Sequence, residues 1–194
     1  MTQDRRINKG NETKERILTA AMRIISEEGI EGVSAKKIAD RSGISKSNIF
    51  HHFGSVEEVL HVIFENLLAY LVEPVKSHQG PDLEAFLLFL GESIYLLNEE
   101  EILSYSVLLN FYNTSLHNEK YRAYLLMTKN EMIDAIATQL MRYSSQSKEK
   151  LLKISEMIIM TLDGYGLHFL LDSDKDICKE SWTLQVETWK FLLK

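Results

Sequence analysis

Lys46, Ser47, Asn48 and His51 fall within six residues and carry a cation, a hydroxyl, a carboxamide and an imidazole. Such a set hydrogen-bonds base edges and phosphates and needs no covalent step to act. At about 100° per residue, a helix that turns Ile49 and Phe53 inward turns Ser47 and His51 almost directly outward. Asn48 and Phe50 then flank the outer face. Lys46 lies in the first turn, where free backbone N–H groups suit a phosphate. The solvated face of an ordinary surface helix is compatible with the same pattern.

These side chains are useful only if the helix beneath them is fixed. Ser45 precedes it as an N-cap, with Ile44 and Ile49 as a hydrophobic staple. The same device stands one helix upstream, with Ser34 as N-cap and Val33 and Ile38 as the staple. Ala35, Ile38, Ala39 and Ser42 form a narrow stripe that lets another helix approach closely, and Gly43 ends the run. A first helix over 11–28 buries Ile17, Leu18, Ala21, Ile24 and Ile25 and stops at Gly29. Two short helices joined by a glycine turn predict a helix-turn-helix. A fourth helix opens with Ser55 and Glu58, read as a capping box, and runs to about Leu71, before Pro74.

Composition limits the alternatives. The chain has 194 residues, 45% of them hydrophobic and 26% charged, a soluble globular balance. Net charge is −6, which excludes a chain that coats nucleic acid along its whole length. The charge is segregated: residues 1–53 carry a net +3 and the remainder −9, a basic head on an acidic body. The single cysteine, Cys178, excludes a disulfide framework and a cysteine-based zinc site. No secretory signal or membrane span is visible, so a cytoplasmic location is expected. The histidines lack the spacing and carboxylate context of a metal site. No phosphate loop, nucleophile elbow or paired-carboxylate arrangement is present, so no enzyme and no cofactor are expected.

The stretch from Thr13 to about Leu68 resembles the TetR family of bacterial transcriptional regulators. Its ordered matches are Ile17, Ala20 and Ala21, Gly29, Val33-Ser34, Ile38-Ala39, Gly43-Ile44-Ser45 and His52-Phe53. The resemblance implies an all-α fold: a three-helix helix-turn-helix DNA-binding head over 11–71, joined to a larger ligand-binding and dimerisation body over 72–194. It places Ser34 and Ala35 near a phosphate of double-stranded DNA. Ser45, Lys46, Ser47, Asn48, Phe50, His51 and His52 would lie at the major groove. Two positions depart from the family pattern, Phe50 for tyrosine and Val56 for lysine. Both remove backbone contacts and predict weaker sequence-independent binding, offset by Arg5, Arg6 and Lys9 in an N-terminal arm.

Downstream, helices are predicted near 81–97, 99–112, 118–143, 147–171 and 174–193. Phe86, Phe89, Tyr95, Tyr105, Phe111, Tyr112, Tyr124, Met127, Met157 and Met160 suit a pocket for an apolar or amphipathic molecule, and equally suit a plain core. Leu162, Tyr165, Phe169 and Leu170 form one sticky surface, with Gly164 and Gly166 allowing close approach. Trp182, Val186, Trp189 and Leu193 form a second. An intramolecular core is the alternative; the family resemblance implies a homodimer through the last two helices. His168 is expected to be packed. The function expected is a ligand-responsive, sequence-specific regulator, a repressor released from a palindromic operator by a small effector. The competing reading is an effector-independent architectural or division-control protein with the same head.

Overall fold

A computed structural model describes the backbone of residues 2–194 and the side chains of residues 10–194; the side chains of Arg5, Arg6 and Lys9 lie outside the described residues. The described chain is all-helical, with nine α-helices, one 3-10 turn and no strand among the described residues. The helices are α1 (Thr2–Glu28), α2 (Ala35–Ser42), α3 (Lys46–Phe53), α4 (Val56–Ser77), α5 (Leu83–Tyr95), α6 (Glu99–Ser115), α7 (Glu119–Leu140), α8 (Lys148–Asp172) and α9 (Lys175–Leu193).

Two boundaries differ most from the sequence reading. α1 begins at Thr2 rather than near Asn11. The segment ahead of Asn11 has no proline, and one glycine inside a helix costs only about 1 kcal/mol. α4 does not end near Leu71 but runs through Pro74 to Ser77, so the expected division between 71 and 72 falls inside a continuous helix. The reason lies at its far end. Gln139 Nε2 donates to the carbonyls of Val75, Lys76 and His78 at 3.0, 3.1 and 3.3 Å, and Arg142 Nη1 donates to His78 O at 3.1 Å. Side chains of and just beyond α7 thus satisfy carbonyls that a helix end leaves open.

The chain divides into two compact units, one of residues up to Leu67 with Leu103–Arg122, the other of Leu68–Ile102 with Ala123–Lys194. In the first unit α1 packs on α2 and the 3-10 turn, and α2 packs on α3. Ile17, Ala21, Ile24, Ile25, Ile38 and Ile49 are fully or almost fully buried. Phe111 belongs to this core: its ring lies 4.5 Å from that of Phe64 and 5.2 Å from that of Tyr121.

In the second unit α5 is the central element, packing against α9 and α8. Trp182 is 1% exposed and its indole Nε1 donates to the Leu87 carbonyl at 2.8 Å. The indole sits where a side chain at position 91 would be, so the close approach of α5 and α9 requires Gly91. At the start of α6, Asn98 Oδ1 accepts from the amides of Glu100 and Glu101, and Glu101 Oε2 accepts from Asn98 N at 2.8 Å. The two residues thus cap the helix start reciprocally. The Asn98 amide and the Tyr70 hydroxyl, which donates to Glu101 at 2.5 Å, hold that carboxyl below its ordinary pKa.

Gly91→Ala forces a methyl into the Trp182 indole and is expected to destabilise the protein by about 1–3 kcal/mol in a denaturant titration. A pH effect follows from His78, whose ring lies 4.4 Å from Phe89 and 5.3 Å from Phe86. Burial, and then the nearby Arg142 cation, push its pKa below the ordinary value. The unfolded chain therefore takes up this proton more readily, and stability falls as pH drops through about 6.5. His78→Phe keeps the ring and the backbone carbonyl; its Tm should fall less than that of the unaltered protein between pH 7.5 and pH 5.5.

Candidate nucleic-acid interface

The candidate reading surface rests on how α2 and α3 are started, stopped and tied down. Ser34 caps α2, its Oγ accepting from Lys37 N at 3.3 Å, and Ser45 caps α3, its Oγ accepting from Asn48 N at 3.3 Å. Gly43 joins the two helices at φ 68°, the left-handed region that disfavours a side chain, while its amide donates to Ala39 O at 2.9 Å. Ser42, buried, accepts the Ile44 amide on its hydroxyl at 3.2 Å. The turn is thus hydrogen-bonded on both sides of the glycine.

α1 holds this pair in place from behind. Arg16 Nη2 donates to Ser42 O at 2.6 Å, at the C-terminus of α2 where a cation is also favoured by the helix dipole. Arg41 pairs with Glu27 at 2.6 Å, and Lys37 pairs with Glu28. Each surface pair adds little alone. Their geometric effect is larger, because three contacts fix the rotation of α2 about its axis, and α3 is packed on α2.

On α3, Ile49 and Phe53 are buried, and Ser45, Lys46, Ser47, Phe50 and His51 are exposed, with Asn48 half-buried at the edge of that face. Ser47 Oγ shares a hydrogen bond with Ser45 Oγ at 3.1 Å, so its hydroxyl is already oriented along the helix start. The outer face therefore offers a cation, a carboxamide and an imidazole in one surface, flanked by an aromatic ring. Ser34 and Ala35 are half-buried at the start of α2, beside the exposed Lys36.

His52 stands apart from this face. It helps line a cleft of about 650 Å³ with Lys14, Glu15 and Leu18 of α1 and Glu58, Val62 and Asn66 of α4. Its ring meets that of His51 edge-on at 5.5 Å. Helical geometry explains the difference, since His52 is three residues from the inward Ile49 whereas His51 is only two. The α4 cap is also half of what was expected: Ser55 Oγ accepts from Glu58 N at 3.1 Å, while the Ser55 amide donates to Phe53 O at 2.8 Å.

The candidate pocket residues differ widely in burial. Phe86 and Phe111 are fully buried in the cores of different units, and Tyr112, Met127, Met157 and Met160 are exposed. Phe89 and Tyr105 are half-buried. The expected dimer residues also need correction. Phe169, Trp182, Val186 and Trp189 are at most 2% exposed within the single chain, and Leu162 and Tyr165 are half-buried. Tyr165 meets Trp182 edge-on at 5.3 Å. The stripe with the largest aromatics was assigned outward, but it is what holds α9 to α5. His168, expected to be packed, is exposed.

The outward apolar residues are others. On α8 they are Met157, Met160, Leu167 and Leu171, and on α9 they are Ile177, Leu184 and Phe191. Their spacings of three, four and seven were present in the sequence, masked by a second apolar stripe on each helix. Among the described residues no helix is long and apolar enough to cross a membrane, and no three His, Cys, Asp or Glu could hold a metal ion.

Removing the α3 cap tests this construction. Ser45→Ala should cost about 1 kcal/mol of stability, seen as a lowered Tm, with helix content retained in the circular dichroism spectrum at 25 °C.

Comparison with known proteins places the head and the fold. Residues 17–63 match the family described as "Bacterial regulatory proteins, tetR family". The HTH-type transcriptional regulator UidR of Escherichia coli K12 is 30% identical over 141 residues, covering 71% of this chain and 68% of its own. The structure of GusR from Salmonella enterica superposes with a TM-score of 0.76 at 18% identity, covering 94% of this chain and 95% of that one. A regulator from Saccharomonospora viridis, solved in complex with choline, gives a TM-score of 0.72 at 20% identity, over 91% and 96% of the two chains. With the family match falling on α1 to α4 and a 30% identity to UidR over about two thirds of each chain beside it, the chain belongs to the tetR family of bacterial regulatory proteins, a DNA-binding transcriptional regulator.

Proposed function

We propose that the protein is a cytoplasmic repressor that binds a palindromic operator as a homodimer and is released from it by a small apolar or amphipathic effector. One observation carries the DNA-reading part: the exposed Lys46 and His51, with the half-buried Asn48 at their edge, on an α3 whose opposite face is buried and whose start is capped. Lys46 would pair with a phosphate or a guanine edge, Asn48 with adenine, and His51 with a base-edge acceptor. Ser34 and Ala35 would sit at a phosphate by the α2 N-terminus. His52, facing the cleft, contributes less than expected.

Residues 72–194 would carry association and effector binding. Association is supported by the outer stripes of α8 and α9. Positions 157, 160, 164, 167 and 171 repeat at three and four residues, as a helix-packing seam does. Gly164 has open space above it, and Leu171, Leu184 and Phe191 are 76%, 73% and 75% exposed. A stripe that apolar has reason to be covered. A two-fold dimer would set two copies of α3 about 34 Å apart, matching successive major grooves.

Effector binding is supported by the choline-bound relative and by the exposed Met127, whose flexible side chain adapts to varied ligands. A released state needs only a few kcal/mol of differential affinity between two conformers. The second reading, DNA binding without an effector, is favoured by the burial of Phe86 and Phe111 in helix-packing cores.

Fluorescence-anisotropy titration against fragments of the gene's upstream DNA, at two salt concentrations, tests the main reading. Fragment-selective binding is expected, and equal, salt-labile binding to all fragments would overturn it. Lys46→Ala should weaken binding to all sequences and lower the salt slope by about one, whereas Asn48→Ala should relax discrimination at one base pair by about 1–3 kcal/mol. Leu184→Glu should leave a folded chain that sediments as a monomer, against a dimer for the unaltered protein.

A further inference from the structure

Among the described residues of the head up to Leu67, every large apolar side chain but one is buried or half-buried; Phe50 is 44% exposed. It lies four residues after Lys46 and three after Ser47, so these three side chains share one strip of α3. Its place in the helix is fixed: Ile49 beside it is fully buried, and the Gly54 amide donates to the Phe50 carbonyl at 2.8 Å. The ring therefore projects beside Lys46 and Ser47, on the flank of the outer face across from Asn48, and it neither donates nor accepts a hydrogen bond.

That chemistry restricts what it can meet in a major groove. The base edges there present donors and acceptors, with one apolar group among them, the C5-methyl of thymine. A phenyl ring pressed onto a donor or acceptor would strip its water and return no hydrogen bond, which is costly. Pressed onto a methyl, it removes apolar surface from water on both sides. Resting on the reading of α3 as the DNA-reading helix, we infer that Phe50 packs against the C5-methyl of a thymine and makes thymine the preferred pyrimidine at one position of the site each α3 reads. Phe50 is then a specificity-determining residue for DNA, acting through shape and apolar contact while Asn48 and His51 act through hydrogen bonds.

The same methyl is carried by 5-methylcytosine and is missing from deoxyuridine, so the contact can be separated from base pairing. A duplex recovered by the full-length protein from a random-sequence library is resynthesised with deoxyuridine in place of each thymine in turn, and each version is titrated by anisotropy. At one thymine per half-site the substitution should weaken binding about fourfold, the effect of about one buried methyl group. Cytosine at that position should weaken binding further, and 5-methylcytosine should recover part of the loss. Phe50→Ala should bind the thymine and deoxyuridine duplexes equally while Phe50→Leu still distinguishes them, both variants keeping the circular dichroism melt of the parent. Uniform affinity across all deoxyuridine duplexes, or a deoxyuridine effect unchanged in Phe50→Ala, would overturn the inference and leave DNA reading by α3 standing. Failure to recover any selective duplex would instead overturn the reading of α3 itself, and this inference with it.

Discussion

A helix of eight residues does not hold its shape in water, because its nucleation cost is spread over too few hydrogen bonds. α3 is that short, and so is α2. Everything proposed for the outer face of α3 depends on interactions that replace the missing intrinsic stability. Burial of Ile49 and Phe53 supplies part of them, the Ser45 cap supplies another, and packing on α2 the rest. α2 in turn has its C-terminus held by Arg16 and its sides by Glu27 and Glu28 of α1. A reading surface built this way is rigid only as a set, and α1 is the element that makes it one.

The second unit solves a different problem with longer elements. α8 and α9 each carry two apolar stripes, one spent inside the chain and one left outside. The inner stripe of α9 is aromatic, with Trp182 and Trp189, and reaches α5 where Gly91 makes room. The outer stripe is formed by isoleucine, leucine and phenylalanine spaced seven residues apart. Large rings fill an irregular gap between crossing helices, whereas a regular repeat of simpler side chains suits a straight seam with a parallel or antiparallel neighbour.

This doubling marks where the sequence was readable. In the head, each helix has one apolar stripe, polar caps and a glycine stop, so element type, order and inward residues could all be read, down to Ser34, Gly43 and Ser45. Helix starts in the body were close because Ser147 and Asp174 stand as caps ahead of α8 and α9. Which stripe faced inward on α9 could not be read, because periodicity gives the direction of a stripe and not its partner. Pro74 misled by its intrinsic cost, which ignores the remote Gln139 that satisfies the carbonyls beyond it. Asn98 and Glu101 were a missed signal of the ordinary kind, a cap three residues apart obscured by a run of glutamates. The pocket residues could not be told from core residues in the sequence, because aromatic and methionine content is shared by cores and cavities alike.

The placement of the two tryptophans has an optical consequence. The chain has two, Trp182 and Trp189, both on α9 and both buried. Ultraviolet emission from these indoles therefore follows the environment of α9 and its neighbours. An event confined to the head, such as melting of α2 and α3 while the helices around α5 persist, would leave that emission nearly unchanged. The part of the molecule that carries the candidate reading surface is, to tryptophan fluorescence, dark.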